Sequence, residues 1–159
     1  MTDSLRRFKE INERMEHLKC FYPFFKAYTS RPVKKQDYDA PYLALDVLTL
    51  LIEKGRLRNR VLKSDEIRAH IEETMKAIHP DREFDCREVT RIVLDFLETN
   101  TDGELYCFQY QDPVRRRPVN HYVHLVEYDV SEDGYRITDE GLEFMISIKE
   151  LPEESRITV

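Results

Sequence analysis

Glycine is scarce in this sequence, at four residues in 159. An all-β sandwich or a phosphate-cradling enzyme needs many turns at positive φ, so this scarcity argues against both. Cysteine is equally sparse: Cys20, Cys86 and Cys107 are widely spaced and odd in number. That is no disulfide scaffold, and it points to a reducing, cytoplasmic setting. No run of about 18 apolar residues is present, which excludes a membrane-spanning helix. The opening Met1-Thr2-Asp3-Ser4 lacks the apolar stretch of a signal peptide. Also missing are a G-x-G-x-x-G turn, a Walker loop and a G-x-S-x-G elbow, so no cofactor is implied.

What is there is ordinary for one charge-rich globular domain, with 41% hydrophobic and 35% charged residues. A chain of this length buries roughly 70% of its unfolded surface and can build a core without staples. The net charge of −6 hides an asymmetry: residues 1–63 carry 14 Lys+Arg against 8 Asp+Glu, a surplus of +6, whereas the remaining residues carry −12. A basic front and an acidic back suit charged partners or front-to-back self-association; unevenly charged solvated faces are the simpler account.

Periodicity organises the chain. Leu5, Phe8, Ile11, Met15 and Leu18 recur every three or four residues and predict an amphipathic helix. It runs into the aromatic cluster Phe21-Tyr22-Pro23-Phe24-Phe25, which is too apolar for a free loop and should pack on a core or a partner. Thr29 to Asp39 reads as a connector. Three helical patterns follow. Asp39 caps the first, with Tyr42, Leu45, Leu48 and Ile52 as its apolar set and Gly55 as its stop. Ser64 caps the second, which carries Ile67, Ile71, Met75 and Ile78 on one face. Asp85 and Glu88 open the third as a capping box, with Val89, Ile92, Val93, Phe96 and Leu97 buried.

The period then shifts from 3.6 to 2. Leu105 to Tyr110 and Val119 to Val130 predict two strands, the second with Tyr122, Val126, Tyr128 and Val130 on one side. Between them lies a turn bracketed by Pro113 and Pro118 and tipped by Arg115-Arg116-Arg117. Asp133-Gly134 is a second turn, and Tyr135-Arg136-Ile137 can pair back as a short strand. Thr138 caps a closing helix with Leu142, Met145, Ile146 and Ile148 on its apolar side, and Gly141 lets that helix approach the sheet closely. The expected fold class is therefore α+β, mainly α: a winged helix of three helices plus a β-hairpin wing. An N-terminal helix and aromatic connector (1–38) precede the winged-helix domain (39–150), and a further segment begins at 151–159.

Chemistry-bearing constellations are weak, and no enzyme is expected. His121 and His124 form an H-x-x-H, but on a strand they point to opposite faces and cannot share a metal. Cys107 reads as a small core residue. Cys86 stands at a helix N-terminus that favours its thiolate, with no histidine near it in sequence. Glu72-Glu73, Asp139-Glu140 and Glu153-Glu154 diverge on helices and read as solvated faces. If the third helix reads DNA, its candidates are Arg87 and Arg91 against Glu88, Asp95 and Glu98, a poor match to a polyanion. Arg115, Arg116 and Arg117 on the wing are the better candidates for contact with a DNA backbone.

The stretch Tyr135-Arg136-Ile137-Thr138-Asp139-Glu140-Gly141-Leu142-Glu143-Phe144-Met145, continued by Lys149-Glu150 to Glu153-Glu154-Ser155-Arg156-Ile157-Thr158-Val159, resembles the end of the N-terminal winged-helix domain of bacterial kleisin-like subunits. These include JetA of the Wadjet plasmid-defence complexes and its relatives MksF and MukF. The Phe21-to-Phe25 cluster is similar to the start of that domain, and the element order extends the likeness over most of the chain. The resemblance implies a non-catalytic architectural subunit acting in plasmid defence and DNA loop extrusion. Its winged helix would mediate a homodimer, while an SMC-like ATPase and a small tandem winged-helix subunit would be partners of the full-length protein. It implies no catalytic, metal or cofactor residue. It also implies that the chain is the N-terminal part of a longer protein, because residues 154–159 resemble the start of another helix. The surface expected to meet a partner is Leu5, Phe8, Ile11, Met15, Leu18, Phe21, Phe24 and Phe25. The competing reading is a winged-helix transcription regulator that binds operator DNA through Arg87, Arg91 and the arginine turn.

Overall fold

The computed structural model describes residues 2–98 and 106–149. Leu105 and the segment after 149, including the tail from Glu150 on which part of the family resemblance rests, lie outside the described residues. The chain is α+β and mainly helical: α1 (Asp3–Leu18), α2 (Tyr22–Tyr28), α3 (Arg31–Lys34), α4 (Ala40–Leu50), α5 (Ser64–Ile78), α6 (Cys86–Glu98), β1 (Cys107–Asp112), β2 (Arg117–Tyr122), β3 (Val126–Asp129), β4 (Gly134–Ile137) and α7 (Asp139–Lys149).

α6 is the hub. Its apolar stripe, Val89, Ile92, Val93, Phe96 and Leu97, is buried as its spacing predicts, and it packs on α2, α3, α4, α5 and β3. Each such aliphatic or aromatic side chain contributes about 1.5–3 kcal/mol when removed from water. Asp85 caps α6 by accepting the Arg87 and Glu88 amides at 3.2 and 3.3 Å. Glu88 does not complete the capping box, because its carboxylate turns to Arg91. α5 buries Ile67, Ile71 and Met75 but leaves Ile78 exposed, and Lys63 rather than Ser64 occupies its N-cap position.

α4 departs from the expected stripe. Asp39 caps it, accepting the Tyr42 amide at 3.0 Å, but the buried side is Leu43, Ala44, Val47, Leu48, Leu50 and Leu51 while Tyr42 is exposed. Nor does Gly55 stop the helix. The last turn widens into a π-helical turn over Leu51–Gly55, followed by a 3-10 turn at Arg56–Arg58. Asn59, at φ 52°, supplies the left-handed residue that ends the run.

The expected hairpin is two hairpins. β1 and β2 pair antiparallel from Cys107↔Tyr122 to Asp112↔Arg117, and β3 and β4 from Val126↔Ile137 to Asp129↔Gly134, in separate sheets. The long strand from Val119 to Val130 breaks at Val123-His124-Leu125, whose backbone groups bond elsewhere. The Leu125 amide donates to Leu97 O (3.3 Å), and its carbonyl accepts the Thr138 amide (3.0 Å). The His124 carbonyl accepts the Thr138 hydroxyl at 2.5 Å. Leu125 and Val126 are both buried, which breaks the period of two, whereas Tyr122, Tyr128 and Val130 are exposed.

The β3–β4 ribbon closes the helices. Leu62, just before α5, exchanges both backbone bonds with Tyr135 (2.7 and 3.0 Å). Thr138 caps α7 by accepting the Gly141 amide at 2.9 Å, as expected. A Cβ on Gly141 would stand 2.8 Å from Ile137 Cγ1 and well inside van der Waals contact with the Leu125 carbonyl oxygen. Only glycine allows that approach. The apolar side of α7 differs from expectation: Phe144 is its buried anchor, while Ile146 and Ile148 are exposed.

The N-terminal region adds a layer of a different kind. The Thr2 hydroxyl caps α1 by accepting the Leu5 amide (3.1 Å), yet none of its residues is buried. Leu5, Phe8 and Met15 are half-buried, and Ile11 and Leu18 are exposed. Pro23 sits in the first turn of α2, and the connector from Thr29 contains α3, with Val33 buried.

Candidate functional site

No group of three or more His, Cys, Asp or Glu side chains capable of holding a metal occurs among the described residues. The histidines of the H-x-x-H are far apart in role. His121 Nε2 lies 2.7 Å from Glu16 Oε2 on α1, and His124 Nδ1 lies 3.1 Å from the Glu98 carbonyl. His124 stands in the break between strands rather than on one. His70 and Thr74 on α5 both meet Asp46 Oδ2 on α4, at 2.8 and 3.0 Å, a polar tie between two packed helices. The expectation for Cys86 is reversed. Burial, with Glu72 and Asp85 nearby, pushes its thiol up. Burial raises Cys20 to about 11.

On α6, Arg91 is held on both sides. Its Nε donates to Glu88 Oε2 at 3.0 Å and its Nη1 to Asp95 Oδ2 at 3.1 Å. The Arg91 hydrogen bond holds the Glu88 carboxyl below the ordinary carboxylate range. Arg87 is exposed and lines a shallow depression with Ser64, Arg68 and Tyr135.

Two turns carry opposite charge. The β3–β4 turn, Asp129-Val130-Ser131-Glu132-Asp133, is acidic, and Arg136 reaches toward Asp129, Glu127 and Glu132 from the strand below. The β1–β2 turn carries Arg115, Arg116 and Arg117, all exposed. These arginines stand at the turn between the two strands that flank them, as expected, but that ribbon is separate from β3–β4, which closes the helices. Asp112 organises their turn. It is 6% exposed, and its Oδ1 accepts the Val114 and Arg115 amides (2.9 and 3.2 Å) and the Asn12 side-chain amide (2.9 Å). Burial opposes its charge, but those donors hold its carboxyl below the ordinary value.

α1 docks on this ribbon through polar groups. Glu16 Oε2 accepts the Tyr110 hydroxyl at 2.6 Å beside His121, and Lys19 lies 3.4 Å from Oε1. Burial raises the Glu16 pKa, but the bonds from Tyr110 and His121 and the charge of Lys19 outweigh it and lower the carboxyl overall. Tyr110 is pushed up to about 12 by burial and by its bond to Glu16. No local pattern signals this cluster, since Glu16 stands 94 and 105 positions from Tyr110 and His121.

Of the surface expected to meet a partner, the aromatic cluster is largely internal. Phe24 is buried against Phe96 and Phe144, with ring centroids 5.0 and 5.2 Å apart, and Phe21 packs edge-on to Phe144 at 5.4 Å. Tyr22 meets Phe108 at 5.7 Å. Phe25, Ile11 and Leu18 remain exposed. A second apolar strip joins the turns after α4 to α7 through Ile52, Leu57, Leu142, Met145 and Ile146; all but Leu57, which is 74% exposed, belong to the expected apolar helix faces. No family model, no curated protein and no solved structure matches the chain.

Proposed function

We propose that this chain is a non-catalytic assembly module built on a winged helix: α4, α5 and α6 form its three helices and β3–β4 its wing. The reciprocal bridge between Leu62 and Tyr135 corresponds to its short first strand. The module serves dimerisation and complex assembly, as the N-terminal domain of a kleisin-type subunit does in an SMC-like complex of plasmid defence. One observation carries the reading. The two elements with which a winged helix grips DNA are poorly charged for it, because Arg91 on α6 is neutralised by Glu88 and Asp95 and the wing turn is acidic. Exposed apolar side chains at Ile11, Leu18, Phe25, Leu57 and Ile146 supply surface for other protein chains.

Light scattering on the purified chain tests the proposal. It predicts a dimer at micromolar concentration that falls to a monomer in an Ile11→Glu/Leu18→Glu or a Leu57→Glu/Ile146→Glu variant, whichever pair lies at the contact. A wild-type monomer at high micromolar concentration defeats the dimer. The regulator reading has the exposed Arg87 on its side, and loss of sequence-specific binding in Arg87→Gln would favour it.

A further inference from the structure

Among the described residues, Asn59, Asp133 and Arg116 take positive φ, at 52°, 51° and 55°. Asn and Asp tolerate the left-handed region because their short polar side chains bond locally; arginine gains no such relief. Glycine or asparagine would suit position 116 better, yet a guanidinium is kept there at an exposed tip. The strained turn holds this guanidinium outward at the exposed tip.

Among the described residues, Arg6, Arg56, Arg60, Arg68, Arg82, Arg91 and Arg136 each lie within 4.0 Å of a carboxylate, whereas Arg7, Arg14, Arg31, Arg58 and Arg87 do not. Arg116 and Arg117 likewise make no ion pair among the described residues, although Arg117 stands opposite Asp112 in the strand register, and Arg115 has only Asp112 at 3.9 Å. The docking of α1 brings Lys9 to the same cleft, which Asn12, Glu13, Asp112, Val114 and Arg115 also line. Glu13, Glu16 and Asp112 supply the opposing charge in that cleft, so the positive excess lies at the tip of the turn, where Arg116 and Arg117 stand exposed. Apart from its two prolines, Val114 is the turn's one apolar side chain. A turn tip so basic and so poor in apolar anchors fits the interface a nucleic acid makes, rather than the apolar centre of a protein interface.

We propose that the β1–β2 turn and the facing side of α1 form one surface for the phosphodiester backbone of duplex DNA. Arg115, Arg116 and Arg117 contact phosphates and Lys9 adds a fourth charge, without reading base sequence. The surface lies outside the three-helix unit and does not depend on the assembly reading.

Fluorescence anisotropy with a short random-sequence duplex across a salt series tests it. Replacing all three arginines by glutamine should weaken binding at least tenfold at low salt and flatten the slope of log K against log salt by about 2–3, near 0.9 per lost phosphate contact. Lys9→Gln should flatten it by about 1, Glu13→Gln should tighten binding, and Arg87→Gln should leave both slope and affinity unchanged. Arg116→Asn keeps the turn's backbone preference and removes only the charge, so weaker binding with no loss of stability supports the proposal. Unchanged binding in the triple variant, or loss in Arg87→Gln alone, overturns it. Molecular mass measured in the same buffer separates the two readings. A monomer that binds DNA removes the dimer and keeps this surface; a dimer that does not bind does the reverse.

Discussion

The two ribbons of this protein are built alike and held differently. β3–β4 is fixed by apolar burial: Val126 and Ile137 lie in the core, Leu62 pairs with Tyr135, and α7 closes over Gly141. β1–β2 meets α1 largely through hydrogen bonds at Asn12, Glu16, Tyr110, Asp112 and His121. Burial of apolar surface is insensitive to charge state, whereas a carboxylate-centred contact depends on pH and on each donor. The first ribbon is part of the fold; the second is carried on it.

The largest expected effect lies at the first ribbon. Alanine for glycine inside a helix ordinarily stabilises by about 0.5–1 kcal/mol. Gly141→Ala should instead destabilise the whole domain by about 3 kcal/mol in urea unfolding, because the added methyl meets backbone that cannot yield. A neutral result would mean that α7 is free to move. Next comes Asp112→Ala, which should raise amide exchange at Val114 and Arg115 about tenfold or more and leave β3–β4 protected. Asp112→Asn, which retains an acceptor oxygen, should restore most of that protection.

Acid should divide the ribbons more gently. The folded Glu16 carboxyl lies below its ordinary 4.5, so its contribution is complete above that value and is lost as the pH falls through the folded pKa. Exchange at amides of α1 and β1–β2 should therefore rise in that acidic window before β3–β4 responds. Equal loss in both would show that α1 docking does not rest on Glu16. The smallest effect is Arg116→Gly, which relieves the left-handed strain and should leave stability unchanged or raise it by up to about 1 kcal/mol.

How far the sequence could be read follows the same division. The α6 stripe, the Asp39, Asp85 and Thr138 caps and the close approach at Gly141 were legible because each is set by neighbours within a few positions. The exposed face of α1 was not, since its amphipathic spacing states only that the helix has an apolar side. The break in the expected long strand is not legible, because the contacts that interrupt it, to Leu97 and Thr138, come from other elements. The arginine turn between two strands is legible as a motif; the second, separate ribbon and the Glu16 cluster are not.

Local periodicity and capping chemistry alone determined that this chain makes helices, then turns and short strands, with a basic tip. Tertiary structure decided which strand pairs with which, which aromatics face inward, and which cations find a carboxylate. Those outcomes rest on encounters between residues distant along the chain, and on water excluded where they meet, neither of which a linear pattern encodes.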